Sequence, residues 1–218
     1  KALNCEKGPL PKPCNTCISC QEITAGSSMD VIEIDGASNR GIDEIRNLRE
    51  TVKFSPTKGH FKIYIIDEVH MLTIDAFNAL LKTLEEPPLH VKFIFATTEP
   101  HKVPLTILSR CQRFDFRRIP VKDIVVKLRE VAKTEKLDVD EDVFLYIAKS
   151  SDGSMRDAES VLDQVASFSK GSIHLKDIIS SLGMIGDDVL FESTDIIIRR
   201  DAGAAIQFID DLVNAGKD

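Results

Sequence analysis

Two periodicities of apolar positions alternate along the first 120 residues. Val31–Ile34 is a short run of mostly apolar residues between Asp30 and Asp35 and predicts a strand. Gly41–Val52 spaces Ile42, Ile45 and Leu48 as one face of a helix. Phe61–Ile66 predicts the next strand, and Thr73–Glu86 a helix that turns Leu80, Leu81 and Leu84 to the core and stops at Pro87-Pro88. Val91–Thr97 is nearly all apolar, which predicts a third strand, central in its sheet. Arg113–Phe116 predicts a shorter fourth. Strands alternating with helices imply an α/β fold, a parallel sheet with helices on both faces.

After Ile119-Pro120 the pattern is helical throughout. Segments near 121–136, 140–150, 155–169 and 174–182 carry it, with breaks at Asp152-Gly153 and Lys170-Gly171. The expected organisation is therefore an α/β core over 1–120, a small helical domain over 121–183, and the start of a further helical domain over 184–218. In that last part Asp187–Arg200 and Ala202–Asn214 read as two helices cut from a bundle. A length of 218 residues suits more than one domain.

Composition narrows the function classes. No apolar run is long enough to span a membrane, and the first residues carry no signal-peptide pattern, so a cytoplasmic protein is expected. Both ends read as cut from something longer. A net charge of −7 argues against tight nucleic-acid binding by this chain alone, although a basic patch within an assembly stays open. Cys5, Cys14, Cys17 and Cys20 follow the spacing C-x8-C-x2-C-x2-C. Four thiolates close a tetrahedral Zn²⁺ shell, and the proline-rich loop Gly8–Pro13 can bring Cys5 round to the other three. Disulfides and an iron–sulfur cluster are the competing readings. With four protein ligands and no open position, such a site is structural. Cys111 stands apart from the set and reads as packing.

The chemistry is concentrated where the second strand ends, in Asp67-Glu68-Val69-His70. A buried strand that delivers adjacent carboxylates to the carboxyl edge of a parallel sheet has the layout of a Walker B segment, one acid for Mg²⁺ and one to orient or deprotonate water. A solvated acidic turn is the plainer alternative. In order along the chain, Asp67–His70, Asn78–Pro88, Phe95-Ala96-Thr97-Thr98, Ser109-Arg110-Cys111 and Gly153-Ser154-Met155-Arg156 resemble the motifs of AAA+ clamp-loader ATPases, more narrowly those of the tau/gamma family.

The resemblance implies ATP and Mg²⁺ as cofactors, with zinc in the cysteine loop, and an ATPase subunit of DNA polymerase III that loads a sliding clamp during DNA replication. It implies that Asp67 binds Mg²⁺, Glu68 is the general base, Thr98 is sensor 1, Arg156 is sensor 2 in a lid helix, and Arg110 is an arginine finger. For Thr97 a strand-end hydroxyl satisfying the backbone is the expected role. The implied partners are the other clamp-loader subunits in a hetero-oligomeric ring, the sliding clamp and primer–template DNA, with no membrane. Asn39 and Arg40, beside a helix start, resemble a contact to a DNA phosphate, with Ser38 or Asn39 as a simple N-cap the alternative. The implied fold is the AAA+ sheet with an inserted zinc loop, a helical lid and the start of a helical collar.

No G-x-x-x-x-G-K-[ST] phosphate loop occurs in these residues. The expectation is that it lies upstream, with Lys1–Asn4 the tail of the helix it opens, and that the residues present are inactive without it. A non-hydrolysing, delta-prime-like stator of the same assembly is the alternative. A DEAD/DEAH-like helicase, which Asp-Glu-Val-His also evokes, is excluded by the helical segment that stands where a second RecA-like domain belongs.

Overall fold

The computed structural model describes residues 1–168, 171–175 and 187–214. Two compact units divide the chain, Lys1–Phe114 and Asp115–Asp218. In the first, helix α1 (Ile18–Thr24) precedes strand β1 (Val31–Asp35), helix α2 (Ile42–Thr51) and strand β2 (Lys62–Asp67). Helix α3 (Ile74–Glu85), strand β3 (Val91–Phe95) and the short helix α4 (Leu105–Leu108) follow. All three strands are parallel, in the order β1-β2-β3. The register sets Asp35 beside Asp67, so both acids stand at the carboxyl edge of the sheet.

Two expectations are corrected here. The central strand is β2, hydrogen-bonded on both sides, and β3 lies at the edge of the described sheet. The residue pattern agrees: Ile63, Tyr64 and Ile66 of β2 are buried, whereas Ile94 of β3 is 46% exposed. A continuous apolar run marks burial on both faces, and it cannot report how many neighbours a strand has in its sheet. Nor is Arg113–Phe116 a strand. Phe114 and Phe116 are exposed, and the chain passes from one compact unit to the next within this segment.

Packing follows the helical periodicity. Ile45 and Leu48 of α2 and Ala76, Phe77 and Leu80 of α3 join Tyr64, Ile66, Val69 and Val91 in one core. Leu81 and Leu84 pack against it half-buried, because Phe77 and Leu80 take the centre of the face. Thr73 caps α3, its hydroxyl accepting from the Ala76 amide at 3.3 Å.

The lead-in to β2 is held by two buried polar side chains. Asn4 pairs with Phe61 as a strand would, donating to its carbonyl at 2.7 Å and accepting from its amide at 2.8 Å. Asp30, 4% exposed, accepts the backbone amides of Thr57, Lys58 and Gly59 at 2.6, 2.8 and 2.7 Å. Burial by itself would raise the Asp30 carboxyl, but the three amides outweigh it and hold it below the usual value of 3.8. A depressed folded-state pKa contributes stability that is present above the unfolded-state value and is lost as pH falls through the folded one. Asp30→Ala is expected to destabilise the protein by about 1–3 kcal/mol near neutral pH, since it removes the acceptor shared by three part-buried backbone amides. Urea titration measures this. The gap between natural and variant protein should narrow in acid, below about pH 4.

In the second unit α5 (Val121–Glu135), α6 (Glu141–Ser150) and α7 (Met155–Phe168) enclose Ile124, Leu128, Ile147, Leu162 and Ile173. Gly153, at φ +82°, turns the chain into α7, and a Cβ there would sit 2.5 Å from that of Arg118. Ser154 accepts the Asp157 amide at 3.3 Å and starts the helix. Helices Asp187–Arg199 and Ala202–Asn214 come last. Most of the helix expected over 174–182, and the boundary expected near 183, lie outside the described residues.

Candidate functional site

Strand β2 ends at Asp67, and Glu68 then takes a left-handed conformation, φ 44° and ψ 47°, unusual for a residue with a side chain. Backbone hydrogen bonds clamp this turn from both neighbouring strands. The Gly36 amide donates to Asp67 O at 2.8 Å, and the Val69 amide donates to Ala96 O at 2.9 Å. Gly36 must lack a side chain, because a Cβ would stand 2.8 Å from the carbonyl oxygens of both Asp67 and Glu68. Asp67 Oδ1 accepts the Glu68 amide at 2.9 Å, and the Asp67 side chain is exposed at the sheet edge.

The segment after β3 brings Thr98 to Glu68. Its hydroxyl donates to Glu68 Oε2 at 3.1 Å and its amide does so at 3.4 Å. Thr97 accepts the Glu99 amide at 3.0 Å, the strand-end role expected of it. Its hydroxyl also lies 2.9 Å from His70 Nδ1. Three expected site residues thus meet at one point, Asp67, Glu68 and Thr98. His70 and Glu99 stand there too, and the sequence assigned them no role. The signal for His70 was its place two residues beyond the acid, where a tight turn brings a side chain back.

Arg110 is elsewhere in this unit. One guanidinium nitrogen donates to Thr106 O at 2.6 Å, and another is ion-paired with Glu85 at the C-terminal end of α3. Cys111 packs against the core and burial pushes its thiol up. Arg156 is exposed in the first turn of α7, in the second unit. Asn39 and Arg40 belong to a turn organised by Asp35, which accepts from Ala37 N and Ser38 Oγ at 2.9 and 2.5 Å. Neither Ser38 nor Asn39 caps α2, whose N-cap position is Gly41.

The four N-terminal cysteines converge, with all Sγ atoms within 4.8 Å of one another and none in a disulfide. A tetrahedral zinc–thiolate shell needs sulfurs about 3.8 Å apart, so this donor set fits the ion with small adjustment. The amides of Cys14, Cys17 and Cys20 donate to the sulfurs of Cys5, Cys14 and Cys17 at 3.4, 3.3 and 3.5 Å. Hydrogen bonds from Thr16 pull the Cys14 thiol down to about 5, while burial pushes Cys20 up to about 12.

Residues 1–120 match the family described as DNA polymerase III, delta subunit, and residues 123–171 match the clamp loader subunit, ATPase lid domain. The chain is 50% identical over all 218 residues to DNA polymerase III subunit tau of Bacillus subtilis. It belongs to the tau/gamma family of DNA polymerase III subunits. Within that family it is also 40% identical over 216 residues to subunit gamma of Buchnera aphidicola, and 39% identical over 216 to subunit tau of Escherichia coli. It spans 39%, 60% and 34% of the lengths of these three tau/gamma relatives and 99% or more of itself. Among solved structures it resembles the RuvB Holliday junction branch migration motor of Thermotoga maritima, with TM-score 0.58 and 16% identity over 84% of this chain and 64% of that one. That likeness, together with the matched ATPase lid domain, agrees with an α/β AAA+ fold for this tau/gamma chain. No helix among the described residues is long and apolar enough to cross a membrane.

Proposed function

We propose that this chain is the motor portion of a bacterial clamp loader, in which ATP binding closes a ring of subunits on primer–template DNA and opens the sliding clamp, and hydrolysis releases both. The observation that carries the reading is the convergence of Glu68 and Thr98 beside Asp67 at the carboxyl edge of the sheet. Asp67 would hold Mg²⁺, which neutralises charge on the ATP phosphates. Glu68 orients the attacking water and accepts its proton, and the Thr98 hydroxyl fixes the carboxylate against it. Arg156 serves as sensor 2 and Arg110 as the finger for a neighbouring subunit's nucleotide. Asn39 and Arg40 contact a DNA phosphate in the assembled ring, residues 184–218 begin its collar, and the setting is cytoplasmic.

One observation favours a second reading, the non-hydrolysing delta-prime-like stator: the family matched by residues 1–120 carries a delta-subunit description. Against it stand the acid pair and the 50% identity of this whole chain to part of a tau subunit. The deciding experiment assembles the complete chain with its partner subunits and follows ATP turnover and clamp loading on primed DNA. Turnover that rises with clamp and primed DNA is expected. Bound ATP that is never hydrolysed by this subunit would leave the stator reading in place.

Zinc completes the proposal. Protein purified without added metal is expected to contain about one zinc per chain, by elemental analysis. Cys17→Ser should lose the ion and loosen residues 5–20 through loss of one of the four thiolates, since serine still caps α1, while β1–β3 stay folded. Thiols that all titrate freely in the native protein would contradict this.

A further inference from the structure

We propose that His70 is a positioning residue whose Nδ1 edge fastens one oxygen of the Glu68 carboxylate and leaves the other open to the attacking water. The inference rests on the reading of Glu68 as the base. His70 sits in the single turn of 3₁₀ helix after the acid pair, with its side chain 7% exposed. Nδ1 is hydrogen-bonded with Thr97 Oγ1 at 2.9 Å and stands within ion-pair distance of Glu68 Oε2, at 3.2 Å. Nε2 lies 3.1 Å from Glu99 Oε2. Glu99 is itself fixed, because Lys102 donates to it at 2.7 Å and holds its carboxyl below the usual range. A buried imidazole thus bridges an anchored carboxylate and the acid of the candidate site.

The contacts of Glu68 are one-sided. Thr98 Oγ1, Thr98 N and His70 Nδ1 all approach Oε2, and Oε1 takes no hydrogen bond among the described residues. Such an arrangement suits a base, one oxygen held and one free to accept a proton. The left-handed backbone at Glu68 adds a reason for a brace. That conformation is sparsely populated, and a contact between the Glu68 and His70 side chains within the same turn helps to hold it. Loss of a brace that leaves the base about 1 Å astray costs on the order of 10²-fold in rate.

The test compares three variants in the complete, assembled protein. His70→Phe keeps the ring and removes both nitrogens, His70→Asn can place an amide N–H near the position of Nδ1, and His70→Gln near that of Nε2. We expect kcat for ATP hydrolysis to fall by about 10–100-fold in His70→Phe with KM for ATP and the melting temperature little changed. His70→Asn should recover most of the loss and His70→Gln should not. Wild-type kcat in His70→Phe overturns the proposal. So do equal losses in the Asn and Gln variants, compared at equal nucleotide-binding capacity, which would mark His70 as simple packing. Glu68→Gln separates the two levels: if it hydrolyses ATP normally, the reading of Glu68 fails, and if it is inactive while His70→Phe is not, only the positioning role fails.

Discussion

Glu68→Gln in the complete, assembled protein is expected to bind ATP as the natural protein does while turnover falls by about 10²–10⁴-fold, the usual contribution of a general base. The amide is isosteric with the carboxylate. Its oxygen can still accept from the Thr98 hydroxyl and amide, so the turn after β2 keeps its clamp. What disappears is the proton acceptor at the second position. Folding and nucleotide affinity should therefore hardly move, and the loss should lie in kcat. Calorimetric ATP binding beside single-turnover hydrolysis gives both quantities. A variant that turns over ATP within a few fold of the natural rate would sink the assignment of the base.

Arg110→Ala should reduce hydrolysis and clamp loading by about 10³–10⁵-fold with binding nearly intact, the range seen for arginine fingers supplied in trans. Geometry supports action on a neighbour. Arg110 is fastened to Glu85 at the far end of α3, and twelve residues of helix span about 18 Å. The acid pair precedes the near end of that helix, out of reach of a guanidinium held at the other. Mixing subunits that carry Arg110→Ala with subunits that carry Glu68→Gln decides the matter. Interfaces that unite an intact Arg110 with an intact Glu68 should recover part of the activity that each pure mutant lacks. Mixed rings that recover nothing would assign Arg110 to its own chain.

The elements themselves were legible because their residues obey one period at a time. β2 and α3 each matched the expected span to within a residue, since the apolar stripe and the Pro87-Pro88 stop define them locally. Sheet order was not legible from burial alone. Val91–Phe95 reads as central by hydropathy, yet β2 holds that place. Arg113–Phe116 has the alternation of a strand, but a strand exists only with a partner. In the candidate site, Glu68 and Thr98 could be assigned from motif order, and their contact needed the structure. His70 escaped notice because a lone histidine gives no sign of the two carboxylates it bridges. Asp30 escaped because its partners are backbone amides twenty-seven or more residues away, and these leave no side-chain signature.

Helix α3 has a mechanical consequence. Its N-terminal end is tied to the β1–α2 turn through the Thr73 amide, which donates to Arg40 O at 3.1 Å, and its C-terminal end carries Glu85 with Arg110 attached. A rod of this kind acts as a lever between the turn that holds Arg40 and the side chain of Arg110. A tilt of about 5° at the Thr73 end would sweep Arg110 through about 1.5 Å, given an arm of about 18 Å. In near-attack geometry that displacement separates a productive finger from an idle one. Small strains at the contact between Thr73 and Arg40 would then be amplified, without any intermediate relay, into the placement of Arg110.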